Sequence, residues 1–160
     1  MPSGLETETP TPQPVAPIKA RSEGTQGEPA RYLVRNAKGR TIYDVRSQQA
    51  LYDRSPDGSA VATFSNPDVT FHDRANRTML ATASQAIAHD KDKTVVMTGH
   101  VRATSGSEVL TCDELTYDGQ RDALRGTGNV VLVNSKTHDV VTGGAISSDL
   151  SFEHVVLSSK

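Results

Sequence analysis

Five histidines are the side chains of this chain best suited to bind a metal ion or to transfer protons. They are spread along the sequence as His72, His89, His100, His138 and His154. A zinc site needs closely spaced ligands, usually with a second pair of histidines or cysteines elsewhere in the chain. No pair of these histidines has that spacing, so we interpret them as surface or strand-face residues and predict no metal site.

The acidic pairs and the single cysteine give no catalytic group either. Asp113 and Glu114 are adjacent in a strand-like run, so their side chains would point to opposite faces and could not act as one acid–base pair. Cys112 has no disulfide partner and is interpreted as a small apolar core residue. Gly126 and Gly128 lie between strand residues, where glycines indicate a bulge rather than a phosphate-binding loop. We therefore predict no catalytic residue, no cofactor and no enzyme activity.

The composition is typical of an all-β protein with many short hairpins. The 160 residues include no Trp, 4% aromatic residues, 12 Gly and 8 Pro. Val and Thr, which are frequent here, favour pleated strands, whereas Asp, Gly, Asn and Ser favour the turns between them. The formal charge is −2 and the 17 basic residues are scattered. This argues against a nucleic-acid partner, because phosphate binding needs clustered Lys and Arg.

The first 30 residues differ from the rest of the chain. They contain Pro2, Pro10, Pro12, Pro14, Pro17 and Pro29. The remainder is rich in polar residues and Gly, and such a segment buries too little apolar surface to offset its ordering entropy. We predict a disordered Pro-rich linker over residues 1–30 and a folded domain over residues 31–160. No run of about 20 apolar residues and no signal peptide is visible, so either the protein is cytosolic or an N-terminal anchor has been removed.

Strand-like runs alternate with turn sequences from Arg31 onwards. The predicted strands cover residues 32–34, 40–52, 60–71, 79–89, 94–103, 108–117, 123–133, 140–147 and 152–158. The pattern repeats about every 30 residues, as shown by Leu80–Thr82 and Leu110–Cys112 or by Gly99 and Gly128. A single hairpin cannot bury its own apolar face and must stack on its neighbours. We therefore predict stacked antiparallel hairpins that form two facing sheets.

Three segments of these repeats resemble the LptC family and the wider OstA-like group. They are Phe64–Phe71, Leu80–Val101 and Leu110–Asp118, the last of which is similar to the "L.T..L.YD" repeat of that group. The resemblance implies an open, twisted β-jelly roll with a hydrophobic interior. It further implies a non-enzymatic carrier that takes lipopolysaccharide from an inner-membrane ABC transporter and passes it to an LptA-like bridge protein. The implied location is the periplasm, with an N-terminal helix as the tether to the inner membrane.

Thirteen residues are predicted to line the lipid-binding interior. The resemblance points to Phe64 and Leu150. Strand alternation adds Val69, Phe71, Leu80, Met97, Val101, Leu110, Leu115, Leu124, Val130, Leu132 and Ile146. Each of these residues could instead simply pack a closed core.

Two exposed strands are predicted as edges for protein partners, because a stack of hairpins ends in unpaired strands. The first edge holds Tyr32, Leu33 and Val34 and would face the transporter. The last edge holds Val155, Val156 and Leu157 and would dock the bridge protein. Gly128 matches a family glycine near the docking end, although it could equally serve only to accommodate a bulge.

Two other functions stay open at this point. One is an LptA-type bridge protein of the same OstA-like fold. The other is a structural β-repeat polymer, similar to a bactofilin, with a closed core and no lipid. A carbohydrate-processing β-helix enzyme would need carboxylates clustered on one face, which the sequence does not show.

Overall fold

A computed structural model describes residues 18–23 and 30–159 of the chain, and these residues form thirteen β-strands. The strands are β1 Ile18–Glu23, β2 Ala30–Arg35, β3 Thr41–Ser47, β4 Gln49–Arg54, β5 Ala60–Ser65, β6 Asp68–His72, β7 Thr78–Thr82, β8 Gln85–His89, β9 Thr94–Ser105, β10 Glu108–Asp118, β11 Ala123–Asn134, β12 Val140–Asp149 and β13 Val155–Ser158. Every pairing between them is antiparallel. The predicted all-β class of stacked antiparallel hairpins is confirmed.

The strands divide into two facing layers that share the long strands β9 to β12. Layer A has the order β1-β4-β5-β8, followed by the first half of β9, the second half of β10, the first half of β11, the second half of β12, and β13. Layer B has the order β2-β3-β6-β7, followed by the remaining halves of β9, β10, β11 and β12. Each long strand therefore crosses from one layer to the other at its middle.

Three predicted strands turn out to be pairs of shorter strands. The run 40–52 breaks at Gln48, the run 60–71 at Asn66-Pro67, and the run 79–89 at Ala83-Ser84. Pro67 has no N–H to donate, and Asn66 adopts a φ of 50°, which a regular strand excludes. At each break the chain passes from one layer to the other, as it does at the bends of the longer strands.

Two of the long strands, β9 and β11, bend at glycines that have no room for a side chain. Gly99 has a φ of 83°, and a Cβ at this position would lie 2.8 Å from Ser84 Cβ. Gly128 has a φ of 80°, and a Cβ there would lie 2.9 Å from Asp113 Cβ. The residues that follow, His100 and Asn129, also have positive φ. The predicted 30-residue repeat therefore corresponds to the positions at which strands bend. These bends lie together along one edge of the molecule, called here the hinge edge.

The opposite edge of the molecule, called here the seam, is where the turns of the two layers face each other. Layer A contributes the turns at residues 55–59, 90–93, 119–122 and 150–154, and layer B contributes those at 36–40, 73–77, 106–107 and 135–139. The layers are joined covalently along the hinge edge by continuous strands. Along the seam they are joined only by non-covalent contacts.

The predicted linker over residues 1–30 includes one segment that forms a strand. Ile18–Glu23 lies within the predicted linker but forms β1, which pairs with β4 from Ile18↔Arg54 to Glu23↔Gln49. Residues 18–23 contain no proline, so their backbone can supply a full set of strand hydrogen bonds. Residues 1–17 and 24–29 lie outside the described residues, and the boundary between linker and domain stays a prediction. None of the described residues belongs to a helix with the length and hydropathy that a membrane crossing requires.

Candidate functional site

Twelve of the thirteen residues predicted for the interior are buried between the layers. They are Phe64, Val69, Phe71, Met97, Val101, Leu110, Leu115, Leu124, Val130, Leu132, Ile146 and Leu150. The interior also contains Leu110 and Cys112 on one side of a bulge and Leu115 and Tyr117 on the other. The bulge shifts the alternation by one residue, which is why both pairs face inwards. Whether any of these residues contacts a lipid stays a prediction.

Leu80 was wrongly assigned to the interior, since its side chain is 58% exposed. It follows Met79, and adjacent strand residues face opposite sides of a sheet. Met79 is the residue opposite Phe71 and is fully buried, so Leu80 lies opposite Thr70 and Thr104 on the outer face. Alternation alone could not choose between two adjacent apolar residues.

The N-terminal half of the interior is aromatic. Tyr32 contacts the rings of Tyr43, Tyr52 and Phe64, with centroids 5.5 to 6.4 Å apart. The contacts continue from Tyr43 to Phe71 at 6.2 Å. Phe71 then meets Tyr117 of layer A at 4.4 Å. Six of the seven aromatic side chains of the protein thus form one chain of contacts, which ties layer B to layer A.

The C-terminal half of the interior is lined mainly by aliphatic and small residues, and Phe152 is its buried aromatic side chain. A Cβ at Gly126 would lie 2.9 Å from Ile146 Cγ2 and 3.2 Å from Cys112 Sγ, so only glycine fits between them. Burial raises the pKa of the Cys112 thiol to about 11, with a further contribution from the carboxylate of Asp113. The thiol is therefore protonated at neutral pH and acts as an apolar group of the interior.

The apolar side chains of the interior reach the surface at the C-terminal end of the stack, called here the mouth. The strand β13 covers only the second half of β12, because its four residues pair with Ala145–Ser148. Val141, opposite the buried Leu132 on the first half of β12, is 44% exposed. Val155 and Leu157 of β13 pack partly against the core. The apolar lining thus continues from the buried core to the surface.

Both predicted partner edges are strands with one unpaired side, but Gly128 does not lie on an edge. Among the described strands, β2 pairs with β3 alone and β13 with β12 alone. Leu33 and Val156 are exposed, whereas Val34 is buried. Gly128 lies in β11, which is paired with β10 on one side and β12 on the other. Gly128 is therefore not an edge residue, and it lies where the register between β11 and β12 shifts. The alternative, a glycine that accommodates a bulge, stays a prediction. In layer A the N-terminal edge is β1, which the sequence did not predict.

One loop carries the hydrogen bonds that cross the seam in the described part of the chain. This loop, His72–Arg77, belongs to layer B and is called here the clasp. Arg74 donates from its backbone N–H to Asp122 Oδ2 at 3.2 Å and from Nη2 to the carbonyl of Gln120 at 2.6 Å. Arg77 donates from Nη1 to Ser151 Oγ at 2.9 Å and lies 3.3 Å from Glu153 Oε1.

A buried carboxylate holds the clasp in shape. Asp73 is only 3% exposed and accepts hydrogen bonds from the backbone N–H groups of Ala75 and Arg77 at 2.9 and 2.8 Å. Its second oxygen accepts from Arg77 Nε at 2.8 Å. The same contact raises the pKa of Arg77, so the guanidinium stays charged. Arg77 is thereby oriented by its own loop before it reaches across the seam.

The sequence analysis did not identify one group of side chains that could bind a metal ion. Single ligand atoms of Asp149, Glu153 and His154 lie within 4.8 Å of one another in the last turn. Asp149 accepts hydrogen bonds from the backbone N–H of Glu153 and from Ser151 Oγ, and Glu153 pairs with Arg77. Despite partial burial, these hydrogen bonds lower the pKa of Asp149. The group is accounted for by turn formation and by the clasp.

A comparison with protein families gives a match. The family model described as "LptC: Lipopolysaccharide-assembly, LptC-related" matches residues 3–160. A comparison with curated proteins finds no match. The family match favours the LptC reading over a bridge protein or a structural polymer.

Proposed function

The chain belongs to the LptC-related family, whose members are non-enzymatic components of lipopolysaccharide transport, and we propose that it shields the acyl chains of lipopolysaccharide between layers A and B. In this proposal it works in the periplasm, takes the lipid from an inner-membrane ABC transporter and passes it to an LptA-like bridge protein. The observation that carries the proposal is an apolar interior that runs between two layers and reaches the surface at the mouth.

The free energy of transfer explains why such an interior is needed. Burying one CH₂ group stabilises by about 0.8 kcal/mol, so an acyl chain of about twelve carbons gains roughly 10 kcal/mol. A lipid with several such chains cannot cross an aqueous compartment unshielded. The interior residues predicted for this role are apolar, and twelve of the thirteen are already removed from water.

The lipid must part the layers, because the interior is closed in the absence of ligand. Tyr43, Phe71, Met97 and Leu115 have no exposed surface. The hinge edge cannot open, since continuous strands cross it there. The seam can open once the clasp releases its contacts to the turns of layer A. We therefore place lipid loading at the seam, with the acyl chains inside and the polar headgroup outside.

The exposed edges would hand the lipid to the next protein. An unpaired strand can add a strand from another chain and so extend both sheets. At the mouth the unpaired strands are β13 in layer A and the first half of β12 in layer B. A partner that docks on them would continue the two layers and with them the apolar lining. The edges β1 and β2 would face the transporter.

Site-specific photocrosslinking tests the proposal with controls on the same strand. A photoreactive residue replaces Leu132, which faces the interior, or Val133, which is next in the chain and faces outwards. Phe64 and Thr63 form a second pair with the same geometry on β5. We expect lipopolysaccharide adducts at Leu132 and Phe64 and none above background at Val133 and Thr63. Equal adducts within each pair, or adducts at neither member, would contradict the proposal.

A further inference from the structure

Tyr43 carries a buried hydroxyl group that has no hydrogen-bond partner. Its side chain is completely buried, and its Oη is the one buried side-chain polar atom left unpaired in the described part of the chain. A buried polar group without a partner loses its hydrogen bonds to water and gains none in return. Native interiors contain few such groups, and each calls for an explanation.

Two other tyrosines of the aromatic chain, Tyr117 and Tyr52, have hydroxyls with hydrogen-bond partners. Tyr117 Oη lies 3.4 Å from the carbonyl oxygen of His72 and 3.4 Å from Asp122 Oδ1. Tyr52 Oη accepts a hydrogen bond from Arg54 Nη2 at 3.1 Å. The unpaired state of Tyr43 is therefore a property of its position and not of tyrosines in this interior.

The position of Tyr43 is close to the seam. It is the third residue of β3 after the turn at residues 36–40, and it lies opposite Phe71, next to the clasp. Burial raises the pKa of the Tyr43 phenol, and smaller contributions come from Tyr32 and from Asp90 in a seam turn of layer A. The hydroxyl thus lies inside the apolar interior but on its seam side.

We infer that the Tyr43 hydroxyl donates a hydrogen bond to a carbonyl oxygen of the ester or amide groups that link the acyl chains to the lipid headgroup. This inference rests on the proposed function. A lipid loaded through the seam places its chains inside and its headgroup outside, so the carbonyls lie between the two, at the depth of Tyr43. A phenol in an apolar site favours lipids that have a carbonyl group over lipids that lack one, because a lipid without a carbonyl leaves the hydroxyl unpaired.

The substitution Tyr43→Phe tests the inference by giving opposite effects on stability and on binding. It removes the unpaired hydroxyl and keeps the ring, so the lipid-free variant should melt at the same temperature as the wild type or higher. Its affinity for lipopolysaccharide, measured from the concentration dependence of the adduct at Leu132, should fall by about three- to tenfold. Thr63→Val, which removes a hydroxyl from the outer face of β5, serves as the control and should leave this affinity unchanged.

A pair of simpler lipids tests the chemical class of the acceptor. A short-chain diacyl phospholipid has ester carbonyls, whereas its dialkyl ether analogue has none. Tyr43→Phe should weaken displacement of lipopolysaccharide by the ester lipid and leave displacement by the ether lipid unchanged.

Three results would overturn the inference. A lower melting temperature of lipid-free Tyr43→Phe would mean that the hydroxyl is already bonded within the protein. Wild-type affinity for lipopolysaccharide in this variant would mean that the hydroxyl does not meet the lipid, and the proposed function would stand. Equal weakening with the ester and ether lipids would exclude the carbonyl. Absence of adducts in the wild type would instead be a failure of the proposed function itself, and the inference would fall with it.

Discussion

The two halves of the interior are built from different side chains and are closed to different degrees. The N-terminal half contains the aromatic chain from Tyr52 to Tyr117, whose rings contact one another across both layers. The C-terminal half contains aliphatic residues and close-fitting glycines, and it ends in the partly exposed Val141 and Leu157. Large aromatic rings form many contacts across the two layers, so separating the layers there costs much contact energy. Small aliphatic residues form fewer contacts and lose less of this energy when the layers separate. We therefore expect the layers to stay together in the N-terminal half and to separate more easily in the C-terminal half.

Truncation of a ring in the aromatic half should give the largest loss of stability. We expect Phe71→Ala to lower the free energy of unfolding by about 3–5 kcal/mol, because it leaves a cavity between Tyr43 and Tyr117. Leu132→Ala, near the mouth, should cost about 2 kcal/mol, since the surroundings can collapse. Urea unfolding followed by circular dichroism measures both. Equal losses in the two variants would remove the distinction between the halves.

Alkaline pH should weaken the aromatic half in particular. Burial is the main cause that raises the pKa of Tyr32 from 10.0 to about 12, and burial also raises the pKa of Tyr43 and Tyr117. The folded protein thus favours the neutral phenol. Its contribution to stability is complete below pH 10 and is lost as the pH rises through about 12.

The alkaline prediction can be checked by melting the protein between pH 8 and pH 11.5. We expect a steady loss of stability above pH 10, and a smaller loss in Tyr32→Phe. A pH dependence that is the same in wild type and variant would show that Tyr32 does not ionise with a raised pKa.

Loss of the clasp should act on lipid loading more than on stability. The variant Arg74→Ala with Ser151→Ala and Glu153→Ala removes the side-chain contacts of exposed groups, and such contacts contribute at most about 1 kcal/mol each. We expect a stability loss of about 1–2 kcal/mol and faster formation of the Leu132 adduct, by roughly three- to tenfold. Arg121→Ala is the control, because Arg121 pairs with Asp118 within layer A and does not cross the seam. A rate equal to that of the control would show that the clasp does not limit loading.

Replacement of the thiol in the aliphatic half should have the smallest effect. Cys112→Val keeps the volume and apolar character of the side chain and loses only a weak hydrogen bond from Sγ to the carbonyl of Glu114 at 3.3 Å. We expect the free energy of unfolding to change by less than about 1.5 kcal/mol and lipid adducts to form as in the wild type. A larger loss would indicate that the C-terminal half is packed as strictly as the aromatic half.

The sequence by itself determined the fold class and most of the interior. Val, Thr and turn residues at regular spacing specified strands and hairpins, and the 30-residue repeat specified their stacking. Alternation placed Val69, Met97 and Leu110 correctly in the interior, because a buried face imposes a period of two on the chain.

Only the tertiary structure decided features that depend on contacts between distant segments. Met79 and Leu80 are both apolar, but Met79 pairs opposite Phe71 and therefore faces inwards, whereas Leu80 faces outwards. The split of the runs into two layers and the pairing of β1 with β4 depend on hydrogen bonds between strands that are far apart in sequence. The clasp joins Arg77 to Glu153, which are 76 residues apart, and the unpaired hydroxyl of Tyr43 is defined by what surrounds it. Local propensity and periodicity carry no information about such long-range partners, so the seam and its chemistry emerge only when the chain has folded.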